Sequence, residues 1–207
     1  MTATDAGGPP GPPRDFEATY REGTPPWDIG RPQPAVQKLL DDGLVAGSVL
    51  DLGCGTGENA LLIAARGHAV MGLDGAPSAV EQARAKAAAR GLGPPQVQFH
   101  VWDALQLGRL RKSFDTVLDC GLMHVFDRPT RRQYIQAVAE VTASGADFFV
   151  LAFSDEEPAG RGPHRLTESE IRDAARSIFA VMEIEPARLE RVDGPPAQAW
   201  LARLTRI

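Results

Sequence analysis

Short apolar runs alternate with stretches of helical spacing along most of the chain. Val49-Leu50-Asp51-Leu52, Ala69-Val70-Met71-Gly72-Leu73-Asp74, Val97-Gln98-Phe99-His100-Val101, Phe114-Asp115-Thr116-Val117-Leu118-Asp119 and Asp147-Phe148-Phe149-Val150-Leu151-Ala152-Phe153 are rich in branched and aromatic side chains. They read as buried parallel strands. Residues 35–44, 59–65, 78–90, 128–141 and 168–179 read as helices, with Gly67 and Gly91 placed to end two of them. Two further strands, at 182–191 and 197–206, are joined by Asp193-Gly194-Pro195-Pro196, a hairpin connection. The pattern predicts an α/β fold, a doubly wound seven-stranded sheet that is mostly parallel, with an antiparallel strand in a C-terminal hairpin.

The first strand runs into Gly53-Cys54-Gly55-Thr56-Gly57, with glycines at alternate positions. Lacking Cβ, they suit a tight strand-to-helix turn where a ligand can lie on bare backbone beside the first amides of a helix. The spacing differs from the G-x-G-x-x-G of dinucleotide-binding folds, and no Gly-Lys-Ser/Thr follows, which excludes a P-loop. Asp51 would repel a pyrophosphate there but would suit a ligand with a cationic amino-acid end. The second strand ends in Asp74, 17 positions after Gly57, where a carboxylate in such sheets accepts ribose hydroxyls. A third acid, Asp103, follows the third strand.

Asp51-Leu52-Gly53-Cys54-Gly55-Thr56-Gly57 closely resembles motif I of the class I S-adenosylmethionine-dependent methyltransferases, and the likeness extends roughly from Tyr20 to the C-terminus. The resemblance implies a Rossmann-like sheet, S-adenosylmethionine as cofactor and S-adenosylhomocysteine as product. Carried over residue by residue, it implies that Gly53 and Gly55 line the methionine part, with Cys54, Gly57 and Asn59 also in the cofactor site. Asp51 would lie near its amine, with Asp119 and Cys120 on the other side. Asp74 would take the ribose hydroxyls; Gly75, Ala76 and Trp102 would flank the adenine, with Asp103 accepting from its amino group and Ala104 offering an amide. The segment Thr24-Pro25-Pro26-Trp27-Asp28-Ile29-Gly30-Arg31-Pro32-Gln33-Pro34 is similar to that of thiol, thiopurine and halide methyltransferases, which implies that Trp27 folds over the cofactor. The fourth-strand stretch through Met123-His124-Val125-Phe126, with Phe153-Ser154-Asp155-Glu156, resembles actinobacterial enzymes that methylate heterocycles such as hydroxyquinolones.

The implied reaction is an in-line displacement on an activated methyl group, in which alignment contributes ~7–11 kcal/mol and a base is optional. His124 is the first candidate for removing an acceptor proton and His164 the second; Met123, Phe126 and Phe153 would line the acceptor pocket. No Asn/Asp/Ser-Pro-Pro-Tyr/Phe motif follows the fourth strand, which argues against base methylation. The expected acceptor is a small aromatic or heterocyclic molecule methylated on oxygen, with nitrogen or sulfur as alternatives and a thiol or halide methyltransferase as the runner-up. A non-catalytic S-adenosylmethionine-binding protein and a nicotinamide-dependent oxidoreductase are the rival classes.

Composition adjusts this only at the margins. The 207 residues, 43% hydrophobic, suffice for one catalytic domain. We expect a disordered tail over residues 1–14, a helical lid segment over 15–46 and the methyltransferase domain over 47–207. The net charge of −5 speaks against nucleic acid. Two cysteines give neither a disulfide framework nor a metal site. With neither an apolar leader nor a membrane-length run, a cytoplasmic monomer or homodimer is expected.

Overall fold

The computed structural model describes residues 15–158, 160 and 162–207; the tail expected over residues 1–14 lies outside them. Strands β1 (Val49–Leu52), β2 (Val70–Asp74), β3 (Val97–Val101), β4 (Phe114–Cys120), β5 (Thr142–Phe153), β6 (Phe179–Leu189) and β7 (Ala197–Arg206) form one sheet in the order β3-β2-β1-β4-β5-β7-β6. The first five pair in parallel, and β7 runs antiparallel to both β5 and β6. Helices α1 (Phe16–Glu22), α2 (Pro34–Asp41), α3 (Glu58–Ala65), α4 (Pro77–Ala89), α5 (Arg128–Val141) and α6 (Glu168–Ala175) cover it.

All four residues of β1 are buried because helices cover both faces of the sheet. Leu50 and Leu52 pack with Tyr134 and Ile135 of α5 and Ile171 of α6. Val49 joins the opposite core with Leu39 of α2 and Leu61 and Ile63 of α3. Pro186 is tolerated in β6 because that strand lies at the sheet edge, where a missing N–H breaks no second ladder.

Three boundaries differ from the sequence reading. Strand β5 begins at Thr142, directly after α5, and the Thr142 hydroxyl donates to the Val138 carbonyl (2.7 Å), satisfying the helix end. Helix α2 stops at Asp41, and Gly43 turns the chain with φ +69°. Helix α6 stops at Ala175; Ser177 takes φ +66°, which releases Phe179 into β6.

From β1 the chain steps outward to β2 and β3, then returns to the other side of β1 at β4. That reversal opens a crevice beyond the C-terminal ends of β1 and β4. The segment from α1 to α2 lies across it. Glu17 accepts from the Ser78 amide (3.0 Å) and hydroxyl (2.6 Å) at the start of α4. The Val192 amide donates to the Pro26 carbonyl (2.9 Å), and Gln33 exchanges two hydrogen bonds with Glu190 backbone.

Candidate functional site

The turn between β1 and α3 holds Gly53, Gly55 and Gly57 at φ +65°, +53° and +87°, a region that side chains with Cβ rarely occupy. A Cβ on Gly55 would stand 2.7 Å from the Tyr20 hydroxyl, and one on Gly57 2.8 Å from the Phe99 ring. Gly57 thus admits close packing of β3, while Gly55 leaves its amide to donate to Asp74 Oδ2 (2.9 Å). Asp74 Oδ1 accepts from the Ala76 amide (2.8 Å). Desolvation raises the Asp74 carboxyl, against the pull of these amides. The turn and the end of β2 are one hydrogen-bonded unit.

Two cavities meet there, sharing Phe16, Gly53, Gly121 and Val125. The larger, about 670 Å³, runs over β2 and β3 and brings together Asp74, Gly75, Ala76, Trp102, Asp103 and Ala104 with Tyr20. Asp103 already accepts from the Leu105 amide (2.9 Å) and the Gln106 side chain (2.8 Å), which fixes its carboxylate at the rim. The smaller, about 190 Å³, holds Trp27, Cys54, Asn59, Cys120, His124 and Phe153, closed by Ile29, Pro163 and Leu189.

Asp51 lies beneath this floor rather than on it. It is 1% exposed, and neither carboxylate oxygen completes a hydrogen bond; the Ala60 amide offers only a weak polarising contact. Burial first, then the Asp119 and Asp74 carboxylates, push it up to about 8. Asp119 is also fully buried but accepts from the Leu122 amide (2.8 Å), the Met123 amide (2.9 Å) and the Tyr134 hydroxyl (2.7 Å). Burial raises it to about 7, these donors opposing the rise.

His124 lines the smaller cavity. Its Nδ1 accepts the Phe153 amide proton (2.9 Å), so the neutral ring carries its own proton on Nε2. That nitrogen lies on the Gly121 side, 3.6 Å from where a Cβ there would sit. His164 is exposed and lines neither cavity; only its amide contributes, donating to the His124 carbonyl (2.9 Å). Met123, expected in the pocket wall, is 0% exposed and packed in the main core, because its amide is tied back to Asp119. Phe126 lines the larger cavity and packs on Tyr134 at 5.0 Å.

Tyr20, Asp28, Thr56 and Gln33 were not singled out from sequence. Trp27 Nε1 donates to the Tyr20 hydroxyl (2.8 Å), and the Thr56 hydroxyl to Asp28 Oδ2 (2.8 Å). Lys86 donates to Thr56 (2.6 Å) and pairs with Glu58 (2.9 Å), while the Gln33 amide donates to Asn59 Oδ1 (3.0 Å). Each contact spans separate segments and has no local sequence signal.

Residues 49–145 match the family model described as a methyltransferase domain. A 2-heptyl-1-hydroxyquinolin-4(1H)-one methyltransferase of Mycobacteroides abscessus is 39% identical over 183 residues, covering 84% of this chain and 80% of that protein. The chain is a class I S-adenosylmethionine-dependent methyltransferase. A solved structure from work on the conversion of a disulfide bond into a thioacetal group during echinomycin biosynthesis superposes on the enzyme with a TM-score of 0.84 at 37% identity, covering 92% and 90% of the two chains. A probable thiol methyltransferase of Arabidopsis thaliana is 28% identical over 75% of this chain and 68% of its own. The methyltransferase's crevice fits the family cofactor: the glycine turn lines the cavities, and beneath it lies Asp51, a buried carboxyl group that completes no hydrogen bond. No described helix of the enzyme is long and apolar enough to cross a membrane.

Proposed function

We propose that this methyltransferase alkylates a hydroxyl on a small, flat, apolar heterocycle or phenol seated between Trp27 and Phe153. The observation that carries this reading is the aromatic cavity opening on the glycine turn, with His124 in its wall. In it, Gly53 and Gly55 take the methionine part of the cofactor, Asp74 the ribose, and Asp103 with Ala104 the adenine. When bound, S-adenosylmethionine supplies an electrophilic methyl on a positively charged sulfur. The protein's part is alignment and exclusion of water. Trp27, Ile29, Phe153 and Leu189 would hold the acceptor plane and strip its hydration, and residues 15–46 act as a lid over both ligands.

In this reading the acceptor oxygen arrives already negatively charged, and His124 contributes a charge-assisted hydrogen bond once the acceptor is seated. A hydrogen bond to a charged group is worth ~1.5–3 kcal/mol, so His124→Gln should lower kcat/KM about tenfold to a hundredfold without changing S-adenosylmethionine affinity. The pH profile should follow the acceptor's own ionisation; a profile that follows an imidazole in the wild type and vanishes in the variant restores the base.

A thiol acceptor is the second reading, favoured by the thiol and thioacetal relatives. Incubation with methyl-labelled cofactor and a panel of 1-hydroxyquinolin-4(1H)-ones, phenols, dithiols and thiocyanate separates the two. Label on the N-hydroxyl or phenol oxygen supports the first reading, label on sulfur alone replaces it, and no transfer to any class points to a non-catalytic binder.

A further inference from the structure

Asp51, Asp74 and Asp119 end neighbouring strands, yet their surroundings differ. Asp119 receives three hydrogen bonds and Asp74 two, each from a named donor. Asp51 completes none and is shut from water. The titratable groups that face it are Asp119 and Cys120 from β4, Asp74 from β2, Cys54 from the glycine turn and Tyr134 from α5. From α3 it meets only the Ala60 amide. None of these is a cation, and two are acids. A carboxylate cannot remain ionised there without a positive partner. Cys54, Asn59 and Cys120 line the cavity where the cofactor's amino-acid end is expected, and Asp51 lies beneath that floor.

We infer that Asp51 is a neutral carboxylic acid in the unliganded enzyme and ionises when the cationic amino-acid end of S-adenosylmethionine arrives, so that binding the cofactor expels a proton. This rests on the cofactor placement proposed above. The acid O–H bond breaks, the proton passes to buffer, and the ligand's ammonium balances the carboxylate's charge across the cavity floor. Burial holds the acid's titration near neutrality, at about 8 in the empty site, so the linkage operates where the enzyme works. The sign follows: the free enzyme binds more protons than the complex, so affinity rises with pH up to that value, by at most tenfold per unit. The motif I acid then has a role that neighbouring Asp74 and Asp119, already satisfied by backbone donors, cannot take.

Calorimetric titration of the full chain with S-adenosylmethionine at about pH 7, in phosphate and in Tris, tests this directly. The two observed enthalpies should differ by the buffers' ionisation heats multiplied by nearly one proton, and Asp51→Asn should bind with the same enthalpy in both. Infrared difference spectra of the wild type give a second readout that needs no variant. Cofactor should remove the carbonyl band of a protonated acid at the high frequency of one that makes no hydrogen bond, as distinct from Asp119. Binding with equal enthalpies in the two buffers overturns the inference and leaves the cofactor site standing. Proton release that persists in Asp51→Asn also overturns it, moving the proton to Asp119. Absence of any binding heat overturns the cofactor placement and the inference together.

Discussion

From Asp51 to Ala76 a single strand–helix–strand unit supplies the glycine turn and the carboxylate that receives its amide, whereas the neighbouring cavity gathers Trp27, His124, Phe153 and Leu189 from segments spread along the whole chain. The first region is local in sequence and rigid in backbone. The second has walls of side chains held by contacts between loops, among them Thr56 to Asp28 and the Phe153 amide to His124. The contrast fits a division of labour: an invariant ligand needs a fixed cradle, and a variable acceptor needs walls that can change without disturbing it. Substitutions in the two regions should therefore separate cofactor affinity from acceptor affinity.

The largest effect is expected at Gly55. Valine there would combine a forbidden φ with a collision against Tyr20, and cofactor binding should fall more than about a hundredfold in calorimetry; wild-type affinity would dismiss the turn as the cradle. Asp74→Asn comes next. It replaces an ionised acceptor of two amides and should weaken the cofactor by about 2–4 kcal/mol, roughly 30- to 1000-fold, with the acceptor KM little moved at saturating cofactor. Equal losses on both ligands would erase the contrast between regions.

Asp28→Asn tests the other side. It weakens the tie from the lid segment to Thr56 by about 1 kcal/mol, so acceptor KM should rise about fivefold while cofactor affinity in the absence of acceptor stays within twofold. The smallest expected effect is on stability against pH. Asp51 and Asp119 are both raised in the folded protein, so their contribution is full below the ordinary carboxylate range and is eroded as pH climbs toward about 8. The melting temperature of the unliganded enzyme should drop by a few degrees between about pH 6 and about pH 8, less in Asp51→Asn, and cofactor should flatten the slope.

How much could be read in advance follows the same division. The succession of strands and helices, the glycine turn and the position of Asp74 were legible because each depends on residues close in sequence and on a backbone rule: apolar runs bury, and alternate glycines turn. His124 was located at the β4 loop, but the partner of its Nδ1, the amide of Phe153, is 29 positions away and could not be read. Met123 was assigned to the pocket because its apolarity suits a wall as well as a core; only the pull of Asp119 on its amide decides between them. Tyr20 gave no signal at all.

The sequence by itself determined the family, the sheet and the cradle, because these rest on burial patterns and on φ values that glycine alone tolerates. The tertiary structure alone decided which carboxylates are satisfied, which nitrogen of His124 is tied to the backbone and which side chains wall the cavity, because hydrogen-bond partners across loops are fixed by packing in space and leave no mark on neighbouring residues.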